Sequence, residues 1–311
     1  MDFALNSDQI TLNSELDKLA SKHATSPTEF RGFVLEDKQL NLELEQGGFF
    51  EAAEIPELGP VSAAMMVERL ARLPYTAEVA LSMLVGPQLN GDWPRPFAVV
   101  ENGRPGRFVA DAATLIILDG DKVGVVSATP DAVEAVDSLF AYPMGRLNKS
   151  VVYTPLSEGE AANVRKWLRI ALAAEAAGLL QAALDAATEH LTLRKQFGRP
   201  LGSFQAIQHR MAECTVLARG VRLLAIKAAW TGDAGDAAVA ALHAQESATR
   251  VVYDLHQFMG AMGMTLEFPL HLWTYRLKAL LPELNGRGGQ AQAVAEHCFK
   301  ESGNKKEHVN V

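Results

Sequence analysis

Twelve residues, Arg194-Lys195-Gln196-Phe197-Gly198-Arg199-Pro200-Leu201-Gly202-Ser203-Phe204-Gln205, put a fixed cation, a primary amide and two aromatic rings at one bend. A guanidinium stays charged at any physiological pH and offers phosphate oxygens two parallel donors. Gln196 adds neutral donors and acceptors, and Phe197 and Phe204 offer ring faces. Gly198 and Gly202 relieve backbone crowding around Pro200. Ser203 can open a helix there, and free N–H groups at a helix start favour an anion. The set suits a bulky anionic cofactor that carries phosphates and a flat ring. An ordinary inter-helix turn, with Arg194 complementing the negative end of a helix dipole, fits the same composition.

The elements that must hold this bend are helical on both sides. From Glu158 to Arg194 there is no Pro and only two Gly, which predicts a helix of about 55 Å at 1.5 Å per residue. Trp167, Ile170, Leu180, Leu184 and Leu191 mark one side, and the alanines beside them permit close helix packing. Ser203 is read as the cap of a second helix reaching about Trp230, and Asp236 as the cap of a third running from Ala237 to about Met259. A fourth is expected from about Gln290 to Lys300. Short connections argue for an antiparallel four-helix bundle over residues 157–311.

Residues 1–95 also read as helices, with a cap at Asn6-Ser7-Asp8, an element through Leu40, Leu42 and Leu44, and runs from Val61 to Leu70 and Val79 to Val85. Residues 96–156 change character. Phe97–Val100 is a short apolar run, Leu115–Leu118 and Val123–Val126 flank an Asp-Gly turn as a hairpin would, and Val151–Thr154 adds a candidate strand. The expected fold is mainly α with a small β domain.

Composition excludes several classes. A net charge of -8 speaks against a nucleic-acid surface. No charged-then-apolar leader opens the chain and no uninterrupted apolar run nears the roughly 20 residues of a membrane span, so a soluble cytoplasmic protein is expected, without membrane contact. Cys214 and Cys298 both read as buried free thiols. Eight scattered histidines show no zinc spacing, so no metal is expected. Gly286, Gly288 and Gly289 lack the strand-to-helix context of a dinucleotide loop, and Lys305-Lys306-Glu307 reads as solvated charge.

The stretch Arg194–Glu213, RKQFGRPLGSFQAIQHRMAE, resembles the signature of the acyl-CoA dehydrogenases in nearly every defining position. A second match follows in His256-Gln257-Phe258-Met259-Gly260-Ala261-Met262-Gly263 and Glu267-Phe268-Pro269-Leu270, with Ala261 where a second Gly is usual. The resemblance is good from Val164 to about His297, fair over the first 90 residues and poor over 96–155. It implies an N-terminal helical domain, a reduced central β domain and a C-terminal four-helix bundle, with subunits paired through their bundles. It further implies that Arg194, Gln196, Phe197, Leu201, Phe204 and Gln205, with Gln257 and Gly260, face the pyrophosphate and adenosine of an FAD whose flavin ring sits in the neighbouring subunit.

The family's reaction takes a proton from the carbon beside a thioester carbonyl and passes a hydride from the next carbon to the flavin. The resemblance puts the base, a glutamate, in one of two places. With Arg276 as the reference Arg, Asn285-Gly286 stands at the first, and counting from Gly260 gives Leu284. Neither Asn nor Leu takes up a proton at neutral pH. Glu283, a residue or two away, is the candidate left. The second place falls on Leu168, and Glu175 is read as almost two turns on and on another face. The family's two flavin-facing strands have no match between Gln88 and Pro155.

These residues together resemble the non-catalytic subunit of a heterotetrameric, α2β2, acyl-CoA dehydrogenase of the steroid-degrading type. A catalytic subunit as partner, an acyl-CoA substrate and an electron acceptor such as an electron-transfer flavoprotein are implied. Other expectations remain open at this point: a self-sufficient homo-oligomer with Glu283 as base, a flavin-free scaffold subunit, and a flavin-dependent monooxygenase, which needs no glutamate.

Overall fold

The computed structural model describes residues 4–27, 33 and 35–299. Lys305-Lys306-Glu307 and the expected end of the last helix at Lys300 lie outside the described residues. The N-terminal helices are α1 (Ser7–Lys22), α2 (Lys38–Gln46), α3 (Gly59–Ala71) and the short α4 (Ala80–Leu84). Asn6 closes a capping box on α1: its side chain accepts from the Gln9 N–H at 2.8 Å, and Gln9 returns the contact at 3.2 Å. Asp37 caps α2 through the Leu40 N–H at 2.9 Å. Pro60 stands in the first turn of α3, where no donor is missed.

Seven short strands follow: β1 (Phe97–Glu101), β2 (Gly106–Arg107), β3 (Thr114–Asp119), β4 (Lys122–Ser127), β5 (Val133–Val136), β6 (Met144–Leu147) and β7 (Thr154–Pro155). One sheet has the order β1-β3-β4-β7, and the other the order β2-β6-β5. β3 and β4 form the expected hairpin, with Asp119 opposite Lys122 and Gly120 at φ +55° in the turn. The strand expected at Val151–Thr154 shrinks to Thr154–Pro155, and β5 and β6 were not anticipated because neither is an apolar run.

The first sheet is buried on both faces, which explains its unbroken apolar runs. Leu115 and Ile117 of β3 point into a small core shared with Phe108, Tyr142 and Met144, while Ile116 and Leu118 point into the core of the helices. That larger core is continuous from Leu16 in α1 through α3 to the C-terminal helices.

The C-terminal part is built on α5 (Glu158–Leu193), capped by Ser157 in a capping box with Glu160. After a two-stranded hairpin, β8 (Lys195–Gln196) and β9 (Arg199–Pro200), come α6 (Gln205–Thr231), α7 (Ala234–Met259), α8 (His271–Leu280) and α9 (Gly286–Phe299). Three boundaries differ from expectation. Phe204, not Ser203, precedes α6, because the Ser203 hydroxyl donates back to the Pro200 carbonyl at 2.7 Å. Asp233 rather than Asp236 caps α7, and the Asp236 carboxylate is taken by Lys227 at 2.7 Å and Thr231 at 2.9 Å. The last helix begins at Gly286, and α8 is an additional helix. Cys214 is buried as expected, whereas Cys298 is exposed.

α5 is long and apolar enough to cross a membrane by length and composition alone, although Glu175 interrupts its apolar run. Its apolarity has another use: 89% of its most apolar window is buried inside the protein. Alanines let α5 sit among α3, α6, α7 and α8. The tightest point is Gly178, where an added Cβ would lie 2.1 Å from the Glu68 carbonyl oxygen of α3. Replacement Gly178→Ala forces α3 away from α5. It is expected to cost about 1–3 kcal/mol, read as a lower denaturation midpoint, whereas Gly159→Ala, with nothing within 4 Å, is expected to leave the midpoint unchanged or raised.

Candidate functional site

The Arg194 bend is a hairpin that projects from the end of α5. Arg194 leaves the helix with φ -72° and ψ 119°, while its N–H still donates to the His190 carbonyl at 2.8 Å. Lys195 pairs with Pro200 and Gln196 with Arg199. Both turn residues have positive φ, Phe197 at 53° and Gly198 at 81°, as a two-residue turn matched to strand twist requires. Gly198 adopts this freely. Phe197 does not, and its strained conformation leaves the ring 88% exposed. The Leu201 N–H closes the loop on the Arg194 carbonyl at 2.8 Å, and Leu201 packs against the core.

Arg194, Gln196 and Gln205 are exposed, and among the described residues their side chains have no hydrogen-bonding or ionic partner. Phe204 is half-buried. Phe197 meets it edge-on at 6.2 Å, and the Arg199 guanidinium lies 4.1 Å from its centroid. One face of Phe204 is therefore already covered by Arg199, a narrower role than its sequence position implied.

Gln257 and Gly260 lie at the C-terminal end of α7. Gln257 is exposed, and its carbonyl receives the Gly260 N–H. Gly260 adopts φ 55° and ψ -134°, a region closed to residues with a Cβ. Two contacts bring this loop to the same end of the bundle as the hairpin. The His190 and Phe268 rings meet edge-to-face at 5.3 Å, and Arg210 of α6 pairs with Asp254 and lies 5.0 Å over Phe258 of α7. The loop is anchored by His256, whose Nδ1 is 2.7 Å from the Gly263 carbonyl and whose Nε2 is 3.0 Å from the Thr274 hydroxyl.

A second locus lies at the other side of the fold, where both sheets meet the helices. An apolar cavity of about 110 Å³ is walled by Val79, Leu81, Phe108, Phe140, Leu168 and Leu172, among others. Its lining includes a charge cluster. Arg107 of β2 donates from Nη1 to both Glu175 oxygens at 2.9 Å, from Nε to Glu283 at 2.6 Å and from Nη2 to Glu283 at 3.1 Å. The Tyr142 hydroxyl donates to Glu175 at 2.6 Å. Burial pushes the Glu283 carboxyl up against the opposing pull of Arg107, and burial also pushes the Tyr142 phenol up.

Leu168 and Glu175 line the same cavity, which corrects the reading that put Glu175 on another face. Seven residues are two helical turns and return to one side of the helix. Glu283 is half-buried and is held by Arg107. The turn that carries it is pinned further. Glu101 accepts the Leu284 and Asn285 N–H groups at 2.7 Å each, and Gln245 donates to the Leu280 and Glu283 carbonyls at 2.9 and 3.0 Å. Arg276 is wholly engaged elsewhere, donating to the carbonyls of Leu272, Tyr75, Ala71 and Leu73 at 2.5–3.3 Å and so tying α8 to the loop after α3. Arg107, Tyr142 and Glu101 were not anticipated, since no sequence spacing links them. Among the described residues there is no cluster of His, Cys, Asp and Glu fit for a metal.

With this geometry in place, the comparisons are informative. Residues 162–281 match the family model of the acyl-CoA dehydrogenase C-terminal domain. Acyl-CoA dehydrogenase FadE34 of Mycobacterium tuberculosis is 30% identical over 207 residues, covering 62% of this chain and 29% of that protein. The chain spans only 28%, 29% and 40% of the lengths of three curated relatives it matches. Among solved structures, the ChsE4-ChsE5 complex from Mycobacterium tuberculosis aligns with TM-score 0.73 at 21% identity, over 96% of this chain and 99% of that one. The Tcur3481-Tcur3483 steroid ACAD, in a G363A variant, aligns with TM-score 0.75 at 22% identity, over 96% and 99%. The fold is that of the acyl-CoA dehydrogenases, and residues 162–281 are similar to that family's C-terminal domain.

Burial holds both His256 and His271 below the usual histidine range. A depressed folded value means that the unfolded chain binds protons first on acidification. The stability these rings contribute is whole above about pH 6.5 and is lost as pH falls from there through the folded values. His256→Gln is expected to flatten the dependence of the denaturation midpoint on pH below about 6.5.

Proposed function

We propose that this chain is a subunit of a heteromeric FAD-dependent acyl-CoA dehydrogenase, supplying the pyrophosphate and adenosine half of a shared FAD site while a partner subunit supplies the catalytic glutamate. One observation carries the reading. The hairpin end of the bundle presents unpartnered polar groups and an exposed ring, whereas Glu175 and Glu283, two of the carboxylates lining the cavity, are committed to Arg107. Along α5, Glu175 and Arg194 are about 28 Å apart at 1.5 Å per residue. The hairpin's exposed side chains stand well apart from its own chain's cavity, as half of a composite site would.

The residues present fit the phosphate-bearing end of FAD. Arg194 would grip the pyrophosphate with parallel donors, Gln196 and Gln257 would add hydrogen bonds, and the bare ring of Phe197 would lie on the adenine. Leu201 and Phe204 set the floor of the hairpin, Gln205 opens α6 beside it, and Gly260 keeps the opposite loop free of a side chain. Bound FAD would supply the hydride acceptor for α,β-desaturation. The proton goes to the partner's glutamate, because Glu175 and Glu283 of this chain are held by Arg107. The likeness to a two-component complex and to a steroid ACAD supports an α2β2 enzyme acting on a steroid-derived acyl-CoA. It would pass electrons to an acceptor such as an electron-transfer flavoprotein in the cytoplasm.

Glu283 supports a second reading, a self-sufficient enzyme with Glu283 as base, because it borders the cavity and burial raises its carboxyl. Two variants separate the readings. In the complex with its genomic neighbour, Arg194→Ala is expected to weaken FAD retention about ten- to a hundredfold, the scale of one charge-assisted contact. Unchanged flavin content would favour a scaffold. Glu283→Gln is expected to leave turnover of the complex intact; abolished turnover would establish the second reading. A chain that is yellow on its own and reduces an acceptor with an acyl-CoA would defeat the first.

A further inference from the structure

The cavity between the sheets and α5 has the composition of a ligand pocket but not the size. Pockets that enclose small molecules hold about 300–1,000 Å³, and a dry engineered cavity of about 150 Å³ admits benzene. The space here is about 110 Å³. What limits it is the charge cluster. The Arg107 guanidinium spends four contacts on two carboxylates, one on α5 and one on the turn after α8, while Arg107 itself belongs to β2. The Tyr142 ring centroid lies 4.7 Å from the guanidinium carbon, and its hydroxyl donates to Glu175. Glu101 of β1 then fastens the same turn through two backbone N–H groups.

Five chain segments are therefore stapled together beside the cavity. Glu175 is 9% and Arg107 10% exposed at the side chain, so any ligand that parted them would leave a buried carboxylate uncompensated. A ligand headed by a carbonyl would find the four donor contacts of the buried Arg107 guanidinium already taken.

We infer that Arg107 is the centre of a salt lock that closes this chain's own apolar cavity to acyl thioesters, so that the chain contributes a cofactor surface and no substrate pocket. Arg107 is a positioning residue: it fixes Glu175 and Glu283 and touches no reacting atom. The inference rests on the subunit reading above and deepens it.

The test is calorimetric titration of the full chain with octanoyl-CoA, with free CoA as the reference for headgroup contacts. The wild-type chain is expected to bind octanoyl-CoA no more tightly than CoA. The triple variant Arg107→Ala, Glu175→Ala, Glu283→Ala removes every charge of the lock together and leaves room behind. It is expected to bind octanoyl-CoA at least tenfold more tightly than CoA, and Leu172→Trp added to it is expected to abolish that gain. Wild-type binding of octanoyl-CoA tenfold over CoA, lost in Leu172→Trp, overturns the lock whether or not the triple variant folds. A triple variant with native circular dichroism and no gain overturns it as well. Failure of the lock is read from octanoyl-CoA alone, and failure of the subunit reading from flavin carried by the isolated chain, so each can fail without the other.

Discussion

A single buried helix organises the molecule. α5 has neighbours on nearly every side and can have them only because its surface is made of alanine, with one glycine at the point where α3 crosses. Helices separated by small side chains approach closely and surrender little rotamer freedom. That constraint gives α5 its membrane-like apolarity and makes it a rigid bar. One part of the bar carries Leu168 and Glu175 beneath the sheets, and its end carries the Arg194 hairpin. Whatever the protein binds at the hairpin is held at a fixed remove from the cavity.

The two loci differ in their chemistry of satisfaction. At the hairpin, polar groups are exposed and unengaged, and a bulky residue is held at positive φ. At the cavity, Glu175 and Glu283 are held by Arg107 and the turn beside them is fastened from three directions. Strain and unspent hydrogen-bonding capacity collect where a ligand is to be met; complete pairing collects where rigidity is the result. The contrast gives the family's fold a division of labour within this chain.

Much of this was legible in the sequence. The Asp119–Lys122 hairpin, the length of α5 and the two motifs of the bundle end follow from turn chemistry, missing prolines and residue order. Cap positions slipped by a few residues where two candidates competed, as with Asp233 and Asp236, because either carboxylate satisfies the local rule and only tertiary partners decide. α8 escaped because its run from His271 to Leu280 is buried on nearly all sides and so shows no amphipathic period. The charge cluster escaped for a different reason. Arg107, Tyr142, Glu175 and Glu283 are distant in the chain, and only folding brings them together. One signal was available: Glu175 stands two turns from Leu168 and had to share its face.

The central claim is an asymmetry between a prepared cofactor surface and a cavity whose acids are already spent. The most direct measurement is the flavin stoichiometry of the purified assembly formed with its partner, from the absorbance of released FAD against protein. The account predicts one FAD for each pair of unlike chains. Two FAD per pair, or one FAD per chain in a homo-oligomer of this protein alone, would contradict it.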